Sequence, residues 1–184
     1  AGVDRCSKHN IYRIPRDGSG RELSDRSGLK LGMAFDPHNG PPGITGRSFS
    51  SGLGTSPENS LWLLDDDPGA ENDEIISRIS PCSGPVAFDE AGNLYLVTSG
   101  LTDSETGGAS EMLVRFGPAQ LAGALGDSAL ELSAGELLCT GMGGYYNIAW
   151  LDEKLYGTSL GFPGGMGSID TIHTPLGLHL SPLA

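Results

Sequence analysis

Val86-Ala87-Phe88-Asp89-Glu90-Ala91-Gly92-Asn93-Leu94-Tyr95-Leu96-Val97 is the stretch on which the fold turns. Two short apolar runs flank a polar break that holds Asp, Gly and Asn, the residues that close tight turns. The stretch therefore predicts a β-hairpin, with a short first strand ending at Asp89 and a second strand opening on a Leu-aromatic pair.

Working outward, the first run recurs as Met33-Ala34-Phe35-Asp36 and as Ile148-Ala149-Trp150-Leu151, and the alanines fall 53 and 62 residues apart. The second run recurs as Leu61-Trp62-Leu63-Leu64 and Leu155-Tyr156-Gly157-Thr158. A third segment completes each set: Ile76-Ser77-Arg78-Ile79, Leu113-Val114-Arg115-Phe116 and Ile169-Asp170-Thr171-Ile172. Near the N-terminus Ile11-Tyr12-Arg13-Ile14 repeats the third pattern alone, so the chain is expected to open part-way through a unit. Residues 38–59, rich in Gly, Pro and Ser, separate the first two runs of the first copy and are expected to form a surface loop. Residues 118–125 fit one or two helical turns, and Glu136-Leu137-Leu138-Cys139-Thr140 fits an outer fourth strand.

An ordered set of three strands, repeated at a spacing somewhat above the roughly 40 to 50 residues of common blade repeats, predicts an all-β chain of β-propeller-like blades. The first strand of each set is short and Gly-flanked, as suits a strand crowded round a central axis. The other two place large apolar residues so that one blade packs on the next. The unit boundaries are 1–27 for a part-blade, then 28–82, 83–141 and 142–184. About three blades fall short of the roughly four that a closed ring needs, so this chain alone is expected not to close. A stack that stops leaves apolar blade faces open, and a protein partner or self-association is expected to cover them.

The composition agrees with many short strands: 29 Gly and 12 Pro are scattered between apolar runs in a chain of 184 residues. The formal charge of −12 repels phosphate backbones and argues against a nucleic-acid partner. No run of apolar residues is long enough to span a membrane, and the first residues lack a hydrophobic signal core. The chain is then either a mature form whose leader has been removed, the extracellular or periplasmic reading favoured here, or a cytoplasmic protein. Cys6, Cys82 and Cys139 show no paired metal-ligand spacing; they read as three packed thiols, or as one disulfide and an odd thiol.

Gly84-Pro85-Val86-Ala87-Phe88-Asp89-Glu90-Ala91-Gly92-Asn93-Leu94-Tyr95-Leu96 resembles the repeat signature of NHL-type propellers and of the related gluconolactonase-like, senescence-marker superfamily. The copies around Ala34 and Ala149 extend the resemblance over most of residues 28–172. It implies a fold and leaves the function open, because such propellers carry lactonases, lyases and pure binding platforms. In the gluconolactonase-like enzymes a divalent cation in the central channel is held by carboxylate and Asn side chains at the starts of inner strands. Asn147, just before Ile148-Ala149-Trp150, resembles the Asn of that set; the Gly that usually follows it is absent. The bland reading of Asn147 is a turn residue.

The acidic run Asp65-Asp66-Asp67-Pro68-Gly69-Ala70-Glu71-Asn72-Asp73-Glu74 is the other candidate for a hard cation, with Asp65, Asp67 and Asp73 as ligands to Ca2+. It lacks the alternating Asp spacing of a helix-loop-helix calcium site, and a solvated loop is the favoured reading. No nucleophile elbow, Walker loop or zincin helix is present, so no catalytic residue is assigned. Two functions stay open: a binding or scaffolding module built on propeller blades within an assembly or a larger protein, and, from the resemblance, a propeller enzyme of lactonase or lyase type with a divalent cation in its channel.

Overall fold

Apolar runs of three to seven residues, broken by Gly, Pro and Asx, are too short for stable helices and bury their alternate side chains most readily as paired strands. The computed structural model describes residues 11–13, 16–20, 22–25, 30–34, 47–50, 59–63, 73–79, 85–99, 111–125, 128–142, 145–159, 168–174 and 177–182. Among these, strands dominate, and nearly all pair antiparallel with their sequence neighbours.

β1 (Ile11–Arg13) and β2 (Glu22–Asp25) form a two-stranded hairpin. The first large sheet follows as a meander of β3 (Lys30–Ala34), β4 (Arg47–Ser50), β5 (Asn59–Leu63) and β6 (Asp73–Ile79). The second is a meander of β7 (Val86–Phe88), β8 (Leu94–Ser99) and β9 (Glu111–Phe116), completed by β11 (Glu136–Met142). Between β9 and β11 the chain makes an excursion through α1 (Pro118–Ala124), β10 (Leu130–Glu131) and a 3-10 turn at Leu132–Ala134. β10 pairs parallel with β6, so the excursion ties the second sheet to the outer edge of the first. The third sheet runs β12 (Tyr145–Leu151), β13 (Lys154–Ser159), β14 (Ser168–Thr174) and β15 (Gly177–Pro182).

The three first strands are neighbours in space, β3 beside β7 and β7 beside β12. The core lies between the sheets and divides in two. Val86, Phe88, Leu94, Leu96, Val114 and Phe116 of the second sheet pack with Leu61, Leu63, Ile75, Ile76 and Ile79 of the first, together with Leu121 and Ala124 of α1. The alternate residues Ala87, Tyr95, Val97 and Leu113 pack with Ile148, Leu155 and Ile172 of the third. A period of two sends successive side chains to opposite faces, so the second sheet is covered on both sides.

Several expectations are met and several are revised. The helix at 118–125 and the outer strand at 136–140 both form. Residues 38–59 do not make one surface loop: Arg47–Ser50 pairs with β3 on one side and β5 on the other, and Asn59 opens β5. In consequence Leu61-Trp62-Leu63 lies in the third strand of the first sheet and Ile76–Ile79 in the fourth. The deep burial expected at the centre of all three first strands is found at Ala87, 5% exposed, but not at Ala34, which is half-buried, or at Ala149, which is exposed. Ala149 is exposed because it faces away from the second sheet.

Candidate functional site

Among the described residues, a dense arrangement of polar and aromatic side chains lies where the second sheet meets the third, and it grows out of the turn that ends β7. Asp89 is buried, and its carboxylate takes up the turn that follows. The Ala91 and Asn93 amides donate to Oδ1, each at 2.9 Å, and Asn93 Nδ2 donates to Oδ2 at 2.7 Å. The backbone closes with Gly92 N–H on the Asp89 carbonyl at 3.1 Å, and Gly92 occupies φ +82°, where a glycine avoids the Cβ penalty. A buried carboxylate needs such partners to offset its lost hydration.

Two positions further, Tyr95 points its ring toward the third sheet and its hydroxyl back to Asp89, donating to Oδ2 at 3.1 Å. Burial, then the Asp89 charge, push the Tyr95 phenol up to about 12, with Arg115 opposing. The hydroxyl therefore stays protonated at neutral pH and acts as a donor. Trp150 of β12 stacks on the Tyr95 ring, centroids 5.3 Å apart and planes 17° from parallel. The Trp150 indole N–H donates to Glu90, the first residue of the same turn. Arg115, opposite Tyr95 across the β8–β9 ladder, donates through Nε to Glu136 at 3.0 Å and through its terminal nitrogen to the same oxygen. This hydrogen-bonded carboxylate raises the pKa of the guanidinium, which stays charged. Every group in the cluster is matched to a neighbour: the Tyr95–Trp150 stack and the Trp150–Glu90 hydrogen bond join the second and third sheets, and the other hydrogen bonds lie within the second.

The candidate cation ligands do not converge among the described residues. Asn147 is exposed on β12, opposite Thr158, and Asp73 is exposed at the start of β6, opposite Leu63. They belong to different sheets. Asp65 and Asp67 lie outside the described residues, as do Cys6 and Cys82. Cys139 is a free, half-buried thiol whose pKa is raised by burial. The described residues hold no group of three or more His, Cys, Asp or Glu placed to bind a metal ion, and none of their helices is long and apolar enough to cross a membrane.

No protein-family model, curated protein or solved structure matches this chain. The site must be read from its own geometry.

That geometry has a second part, on the far side of the third sheet. Cross-strand pairing puts Ala149, Leu151, Lys154, Tyr156, Thr158 and Ile169 on one face, opposite to that of Ile148 and Leu155. Tyr156 is half-buried and the other five are exposed, with Leu151 at 60% and Ile169 at 51%, while Thr171, opposite Tyr156 on the same face, is buried at 6%. Sequence reasoning did not find the Tyr95–Trp150 joint, because its two rings lie in different sheets and only the stacking of those sheets brings them together.

Proposed function

We propose that this chain is a binding and scaffolding module whose three sheets are successive blades of a β-propeller-type stack. The observation that carries the reading is the middle sheet. Its two faces are buried by two separate clusters, one toward each neighbour. Sheets that bury both faces in this way add one to the next, and their first strands gather on one side of the stack. The free face of the last sheet is then a surface for attachment.

The resemblance to NHL-type and gluconolactonase-like repeats supports the same reading, since its signature stretch is the β7–β8 hairpin and the turn built on Asp89. The joint also supports it: the Tyr95–Trp150 stack and the Trp150–Glu90 hydrogen bond tie the third sheet to the turn of the second.

An assay against small lactones, run with and without added Ca2+, separates this reading from the enzymatic one. The scaffolding reading expects no saturable turnover, and no effect of Asn147→Ala on any background rate. Saturable, Ca2+-dependent lactone hydrolysis abolished by Asn147→Ala would overturn it.

A further inference from the structure

We draw no further inference here: the strongest candidate, the outer face of the third sheet around the exposed Leu151 and Ile169, carries none, since nothing among the described residues shows what covers it.

Discussion

Tyr95 of the second sheet and Trp150 of the third stack face to face at 5.3 Å while each donates a hydrogen bond to the turn that ends β7, Tyr95 to Asp89 and Trp150 to Glu90. One turn thus holds both rings of the inter-sheet joint. Trp150→Ala removes the stack, its buried area and the bond to Glu90, and is expected to lower stability by about 2–4 kcal/mol. Trp150→Phe keeps a ring and loses the N–H, and is expected to lower it by about 1 kcal/mol. Urea unfolding followed by circular dichroism measures both.

The same turn makes the fold sensitive to alkali. The Tyr95 phenol, ordinarily near 10.0, is pushed up to about 12 in the folded chain, so the folded state holds its proton more tightly than the unfolded one. The contribution is present in full below pH 10 and is lost as pH rises toward 12. Tyr95→Phe has no proton to lose, and its stability should fall less steeply over that window. Parallel thermal melts of the two proteins between pH 9 and 12 check this, and equal slopes would remove Tyr95 as the cause.

Two glycines should respond in opposite directions. A Cβ at Gly135 would lie 2.3 Å from Val114 Cγ1 and 2.7 Å from the Phe116 ring, atoms fixed in the core between the first two sheets. Gly135→Ala is expected to cost about 1–3 kcal/mol through forced repacking. Gly123, inside α1, has nothing within 4 Å of the added carbon, and Gly123→Ala should gain about 0.5–1 kcal/mol of helix propensity. Chemical denaturation of the two variants reads the contrast.

The turn from β12 to β13 places Asp152 at φ 49° and Glu153 at φ 59°, the left-handed pair of a two-residue hairpin loop. Glu153→Gly makes the Asp-Gly sequence that such turns favour, and an increase in stability of about 0.5–1 kcal/mol is expected. A shift of the thermal midpoint upward supports the turn assignment; a downward shift contradicts it.

The parts of the fold legible in sequence are those where apolar alternation and turn residues speak together. β7 and β8, with Asp89 to Asn93 between them, meet that condition, and so do β12 and β13. β4 does not: Arg47-Ser48-Phe49-Ser50 offers one apolar side chain, and it forms a strand because the strands on both sides supply ladder partners. Its absence from the reading shifted Leu61-Trp62-Leu63 one strand inward in the first sheet. β15 was missed for a similar reason, since Gly177 and Pro182 bound a run of two leucines that looks like a tail until β14 is beside it. The site was less legible than the fold. Asp89 reads as a turn residue in sequence, and its role in fixing Tyr95 depends on burial; Trp150 reaches Tyr95 only across two sheets.

The central claim is that the three sheets are repeats stacked face to face with their first strands together. The most direct measurement is a crystal structure of the full chain in its solution assembly. The account predicts the strands bearing Ala34, Ala87 and Ala149 side by side round a common axis, and the Tyr95–Trp150 stack between the second and third sheets. First strands dispersed among unrelated sheets, or a second sheet with either face open to solvent, would contradict it.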